Sequence, residues 1–186
     1  MASKKNDWVE WIKILLVAVV IIVFVRMFIA VPIVVEGPSM LPTLENGDRL
    51  IVEKLSVTFN QIERFDVVVF HATMKKDYIK RVIGLPGDKI EYRNDQLYVN
   101  DQPVDEPFLA EVKSQLEENT TYTTDFSLEE DIKGNKEVVP EGHVFVLGDN
   151  RTNSTDSRQL GYIPMDDIVG VAKLTYWPID KISLLE

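Results

Sequence analysis

From Ile14 to Val25 the chain carries no polar side chain, and after Arg26 the apolar character resumes at Met27 and runs to Val35, with Pro32 inside it. No other feature restricts the fold as much. A helix over Val9–Ala30 would be about 33 Å long at ~1.5 Å per residue, enough to cross the hydrocarbon core of a bilayer. Lys13 and Arg26 stand near its two ends, where their long stems can carry the charge to the interfaces, and Trp8 and Trp11 suit the headgroup level. A cleaved leader would need small residues at the last and third-last positions before the cut. Ala30 pairs with Phe28 in that frame and Ala18 with Leu16, so neither fits. The expectation is an uncleaved anchor over 9–30. Lys4, Lys5, Lys13 and the amino group favour residues 1–8 on the cytoplasmic side, with everything after the anchor outside.

The part beyond the anchor is acidic. The whole chain has 20 Lys+Arg against 30 Asp+Glu, a net charge of −10. Nucleic acid is a poor partner for such a surface, because phosphates need basic counter-charge. Cys is absent, which excludes disulfides and thiolate metal sites. Nothing in the pattern implies a metal or a cofactor.

After Pro32, strand-like runs follow one another: Arg49–Glu53, Asp66–Phe70, Tyr78–Ile83, Lys89–Arg93, Gln96–Val99, His143–Leu147 and Ile168–Trp177. They are rich in Val, Ile, Phe and Tyr, and Gly, Pro, Asn and Asp separate them, as in Leu85-Pro86-Gly87-Asp88 and Asn94-Asp95. The expected fold is mainly β, an irregular barrel or sandwich. Between Gln102 and Val138 the composition turns polar and weakly patterned, with Glu111, Glu117, Glu118 and Glu129–Asp131. That stretch is expected to be an inserted subdomain dividing one β domain into 31–101 and 139–186. Asn119-Thr120-Thr121 and Asn153-Ser154-Thr155 match the N-glycosylation pattern, a short match that arises often by chance.

Three clusters carry polar groups suited to chemistry. Glu36-Gly37-Pro38-Ser39-Met40-Leu41-Pro42-Thr43-Leu44 puts a serine on a turn stiffened by two prolines and freed by one glycine. Asp77-Tyr78-Ile79-Lys80-Arg81-Val82-Ile83-Gly84-Leu85-Pro86-Gly87-Asp88 is strand-like, and alternation puts Tyr78, Lys80 and Val82 on one face and Ile79, Arg81 and Ile83 on the other. Gly148-Asp149-Asn150-Arg151-Thr152-Asn153-Ser154-Thr155-Asp156-Ser157-Arg158 packs two Asp, two Ser and two Arg into one loop. Singly, they read as a linker, an edge-strand lysine and a solvated loop.

In this order and behind an anchor, they resemble the type I signal peptidases, the leader peptidases that use a Ser–Lys dyad, in the single-anchor form of Gram-positive bacteria. The strings SMLPTL, DYIKRVIGLPGD and GDNRTNSTDSR carry the resemblance, which covers nearly the whole chain. It implies Ser39 as nucleophile and Lys80 as general base in an acyl-enzyme mechanism. By position, Ser154 would hydrogen-bond and orient the lysine. Asp156 and Arg158 would brace the site as an ion pair, and Asp149, Arg151 and Arg81 would support it. Some members carry a serine two residues before the nucleophile that helps to bind the oxyanion. Gly37 stands there in this chain, so the oxyanion hole would rest on backbone N–H groups, Ser39's own first and Gly37 second. The implied substrates are signal-peptide-bearing preproteins cut after A-x-A-type sites, held as an added strand at the membrane surface near the secretion translocon. Ile33, Val35, Met40, Leu44, Leu50, Val69 and Ile79 are candidates for the two shallow pockets.

Such a base has to be neutral to work. An ordinary lysine titrates near ~10.4, so at pH 7 about one in 2,500 is neutral, a deficit of roughly 4.6 kcal/mol. Burial can remove most of it, which predicts a desolvated Lys80 beside Tyr78 and Met40. Rival chemistries fit less well. Only His71 and His143 could serve a His-based hydrolase, and Ser39 lacks the second glycine of a Gly-x-Ser-x-Gly elbow. No serine has a lysine three residues on, as a β-lactamase-type site needs. A self-cleaving Ser–Lys repressor would bring a DNA-binding domain instead of a membrane span. An inactive scaffold would not need both Ser39 and Lys80.

Overall fold

The computed structural model describes residues 7–73, 76–117 and 120–185. Lys4, Lys5, Glu118 and Asn119, the acceptor residue of one sequon, lie outside the described residues. The apolar run forms one helix, α1 (Asp7–Phe28, 22 residues), whose large apolar side chains are exposed from Trp8 to Phe28. At 22 residues it is about 33 Å long. A helix that is apolar all round and packs against no protein suits lipid rather than water. It ends two residues before Ala30, because the chain turns there into an edge strand, β1 (Ala30–Val34). Pro32 is tolerated on that edge, where one side of the strand needs no ladder donors. The Lys54 ammonium donates to the carbonyls of Arg26 and Met27 at 3.3 Å, filling the C-terminal end of α1 where cations are favoured.

The remaining strands are β2 (Arg49–Glu53), β3 (Val67–Thr73), β4 (Lys76–Gly84), β5 (Ile90–Arg93), β6 (Gln96–Val99), β7 (Gln102–Val104), β8 (Phe126–Ser127), β9 (His143–Leu147), β10 (Ile163–Pro164), β11 (Ile168–Trp177) and β12 (Ser183–Leu184). The α-helices beyond α1 are short: α2 (Leu55–Thr58), α3 (Ala110–Ser114), α4 (Leu128–Asp131) and α5 (Ser157–Leu160). The main sheet runs β1-β2-β11-β3-β4-β9-β10 with β12 on β11, and the second sheet β7-β6-β5-β8. Every pairing is antiparallel. The fold is mainly β, as the alternating runs predict.

Period-two alternation distributes the core. Along β9, Val144 and Val146 join Val68, Phe70, Val82 and Ile168, while Phe145 and Leu147 face the second sheet with Ile90, Tyr92 and Leu97. A third cluster under β1 and β2 holds Val35, Met40, Leu44, Leu50, Val52, Val67 and Val69. The second sheet begins at Ile90, upstream of Gln102, where composition alone would start the excursion. Its two tight hairpins turn on Asn94-Asp95 and Asn100-Asp101, all four with positive φ, the conformation that two-residue hairpin loops require.

Candidate active site

The Ser39 turn leaves β1 and is held on both sides. The Val35 N–H donates to the Asp48 carbonyl and the Gly47 N–H returns to the Val35 carbonyl, so the segment runs on from the sheet edge. Gly37 adopts φ +87°, a backbone that an L side chain rarely takes, although a Cβ there would meet nothing within 4 Å. Its N–H donates to Asn46 Oδ1 at 3.0 Å. Downstream, Met40 and Leu44 are buried and tie the turn to the core below. From the opposite side, Asn150 donates twice, N–H to the Ser39 carbonyl and Nδ2 to the Pro38 carbonyl, both at 3.1 Å. The Ser39 N–H has no acceptor among the described residues.

Strand β4 brings Lys80 to this turn. Pairing with β3 sets Lys80 opposite Val68 and Arg81 opposite Val67. Lys80 is 3 % exposed, and its Nζ lies 2.8 Å from Ser39 Oγ and 2.8 Å from the Ile79 carbonyl oxygen. The Tyr78 ring stands 5.1 Å away. Desolvation pushes the ammonium down to about 8, while the negative charges of Asp156 and Asp149 pull the other way.

Arg81 points to the opposite face, into a closed ion pair. Its Nε and Nη2 donate to the two oxygens of Asp149 at 2.9 and 2.7 Å, Nη1 donates to the Phe65 carbonyl, and the guanidinium lies over the Phe108 ring. Thr43 Oγ1 adds a 2.6 Å bond to Asp149, linking the serine segment to the same carboxylate. Asp156 is fully buried. It accepts Arg158 Nε and Nη2 at 2.9 and 2.8 Å and the Gly148 N–H at 3.1 Å. Gly148 has no room for a side chain, since a Cβ would lie 2.2 Å from Ser154 Oγ and 2.5 Å from the Ser39 carbonyl oxygen. Arg151 turns away from Ser39 towards the second sheet, and Tyr92, Glu106 and Thr123 receive it.

Two expected arrangements take a different form. Ser154 sits beside the dyad, yet its Oγ is buried without a hydrogen-bond partner among the described residues. The Lys80 amine is occupied instead by Ser39 and the Ile79 carbonyl. The Gly37 N–H is spent on Asn46, which leaves Ser39 as the free backbone donor of the two. Asn150, Thr43 and Asn46 were not singled out in the sequence. The first two lie inside the quoted motifs, and only a short Asn-Gly turn marked the third.

A cavity of about 780 Å³ opens over the dyad between the segment from Ile33 to Met40 and the outer half of β4. Ile33, Val35, Met40, Val69 and Ile79 line it, whereas Leu44 and Leu50 are fully buried in the cluster beneath and do not. No group of His, Cys, Asp and Glu suited to a metal ion occurs among the described residues.

Residues 8–177 match the family described as "Signal peptidase, peptidase S26". The chain belongs to that family. It is 52 % identical over 167 residues to the signal peptidase I of Bacillus caldolyticus, covering 90 % of each chain. To the signal peptidase IB of Staphylococcus aureus it is 42 % identical over 178 residues, covering 95 % of this chain and 93 % of the other. A crystal structure of a signal peptidase I from Enterococcus faecalis V583 superposes with a TM-score of 0.56 at 42 % identity, over 59 % of this chain and 95 % of that one. The apolar helix α1 is consistent with the single-pass membrane anchor of a signal peptidase I.

Proposed function

We propose that this chain removes signal peptides from secreted preproteins by acyl transfer, with Ser39 as nucleophile and Lys80 as general base. The observation that carries the assignment is the 2.8 Å contact between a desolvated amine and a hydroxyl in an open groove. With the amine at about 8, roughly one Lys80 in ten is neutral at pH 7, and the deficit of ~4.6 kcal/mol falls to about 1.4 kcal/mol.

Lys80 Nζ takes the Ser39 proton as Oγ bonds to the scissile carbonyl carbon. The negative charge passes to the carbonyl oxygen, which the free Ser39 N–H meets. The Lys80 ammonium then gives its proton to the departing amine as the C–N bond breaks, leaving the signal peptide as an ester on Ser39. Neutral again, Lys80 deprotonates a water that attacks the ester, releases the carboxylate and restores the hydroxyl. Asn150, through the carbonyls of Pro38 and Ser39, keeps the nucleophile and its N–H in register. The preprotein lies as an added strand along Ile33–Pro38, with small residues of an A-x-A site in the hollows formed by Ile33, Val35, Val69 and Ile79.

The helix crosses the membrane once with residues 1–8 in the cytoplasm, and the β domain works outside, near the translocon. Trp177, Ile179 and Ile182, all exposed, are apolar groups suited to the bilayer surface. Incubating a preprotein with wild type, Ser39→Ala and Lys80→Ala, followed by N-terminal sequencing of the product, tests the dyad. Wild type should release a mature chain beginning after the A-x-A site, and neither variant should process measurably. Equal processing by all three would overturn it. Protease added to intact spheroplasts should digest the β domain while sparing a tag placed before residue 1.

A further inference from the structure

The second sheet reaches the nucleophile through one buried arginine. Arg151 follows Asn150, the residue that donates to the carbonyls of Pro38 and Ser39. Its side chain, fully buried, leaves the groove and enters the second sheet. Nε donates to the Gly148 carbonyl at 3.0 Å, Nη1 to Tyr92 OH at 2.8 Å and Thr123 Oγ1 at 3.1 Å, and Nη2 to Glu106 Oε1 at 2.5 Å. Tyr92 OH donates to the same Glu106 oxygen at 2.7 Å. The Glu106 side chain is 2 % exposed and stands between β7 and α3, outside every motif of the catalytic loop. Lys113 approaches its other oxygen only at 3.5 Å.

A guanidinium out of water needs a counter-charge, and Glu106 is the carboxylate that meets it directly. The Gly148 carbonyl and the Asn150 donors are thereby fixed from behind. The loop cannot retreat from Ser39 without breaking a buried ion pair.

We infer that Glu106 is a positioning residue. Through Arg151 it holds the Gly148–Asn150 loop against the Ser39 carbonyl, so that the excursion after β7 sets the geometry of the attacking hydroxyl. The inference rests on the reading of Ser39 as nucleophile. The apolar side chains that line the groove, Ile33, Val35, Val69 and Ile79, make none of these hydrogen bonds, so the effect belongs chiefly in turnover.

The test uses the full chain in detergent micelles, with steady-state cleavage of a preprotein normalised to the folded fraction from near-ultraviolet circular dichroism. Glu106→Gln removes the charge and keeps the shape. A second variant, Glu106→Leu with Arg151→Met, replaces the whole pair by apolar groups that fold without a buried charge. In both, kcat should fall at least tenfold with KM within twofold of wild type. A kcat per folded molecule within twofold of wild type, or a loss confined to KM, would overturn the inference, as would failure of both variants to fold. Ser39→Ala is run alongside. Activity surviving in that variant would defeat the nucleophile assignment itself, whereas an inactive Ser39→Ala beside an unimpaired Glu106→Gln would defeat only the role of Glu106.

Discussion

The two faces of β4 hold neighbouring cations at nearly the same depth and treat them in opposite ways. Lys80 is 3 % exposed and Arg81 1 %. Arg81 is met by both oxygens of Asp149, a carboxylate held in fork-to-fork contact. Lys80 faces a hydroxyl and a carbonyl, with its nearest carboxylates acting at a distance, and burial pushes it down to about 8. Depth alone therefore does not decide whether a buried cation meets a counter-charge. The paired face provides a rigid support, and the unpaired face a group that can trade protons near neutral pH.

Exchanging the residue on the unpaired face should have the largest effect. Lys80→Arg keeps a cation and a similar length, but a guanidinium does not give up its proton in a protein. Preprotein cleavage per folded molecule should drop by a factor on the order of 10³ or more, about 4 kcal/mol of barrier, and the unpaired guanidinium should also lower the melting temperature. A variant retaining a tenth of wild-type kcat/KM would show that the amine is not the base.

On the paired face the expected loss is in stability. Arg81→Met leaves the Asp149 carboxylate buried, with Thr43 Oγ1 as its remaining side-chain hydrogen-bond donor among the described residues. Breaking a buried pair from one side costs roughly 3–5 kcal/mol, so urea unfolding should shift by that order. Replacing both partners, Arg81→Met with Asp149→Leu, should recover much of it, since the penalty lies in the stranded charge. If the double variant is no more stable than the single one, the pair is not the support described.

The pH dependence of cleavage follows from the lowered Lys80 value. In the proposed mechanism the working form is the neutral amine, so kcat/KM should be level above about pH 8 and fall about tenfold per unit below it. Asp149→Asn and Asp156→Asn each remove a negative charge that favours the ammonium, and each should move the limb to lower pH in a pH–rate profile. Movement to higher pH would reverse the electrostatics proposed here.

Much of this was legible in the chain, for reasons that also mark where legibility ends. β6, β9 and β11 have the bounds that their apolar runs predict, because turn residues end each run sharply. β1 was not legible, because apolar sequence continues from α1 straight into the strand and composition cannot mark the change. The meeting of Ser39 and Lys80 could be anticipated only through the resemblance that the ordered motifs carry to the type I signal peptidases. Glu106 could not, since a carboxylate in a polar stretch looks solvated until Arg151, 45 residues on, is placed against it. The Gly37 N–H escaped for a similar reason. Its partner Asn46 reads as part of a turn, and only the folded segment brings the amide oxygen round to it.

The smallest effect expected is a gain of stability from removing the working group. In the unfolded chain Lys80 titrates near its ordinary 10.5, and in the folded chain at about 8. Between those values the unfolded chain binds more protons, so stability rises with pH there. Below pH 8 both states are protonated and the fold carries the full penalty. Above 10.5 both are neutral and the penalty has gone. Lys80→Met fills a similar volume without a charge, so it should be more stable than wild type at pH 7. Lost bonds to Ser39 Oγ and the Ile79 carbonyl offset part of the benefit, leaving roughly 1–2 kcal/mol. The advantage should shrink as pH climbs through 8 towards 10.5, read as converging midpoints in urea titrations at a series of pH values. A gap independent of pH would mean that Lys80 is not desolvated as the folded structure has it, and the contrast between the two faces of β4 would then lose its unpaired side.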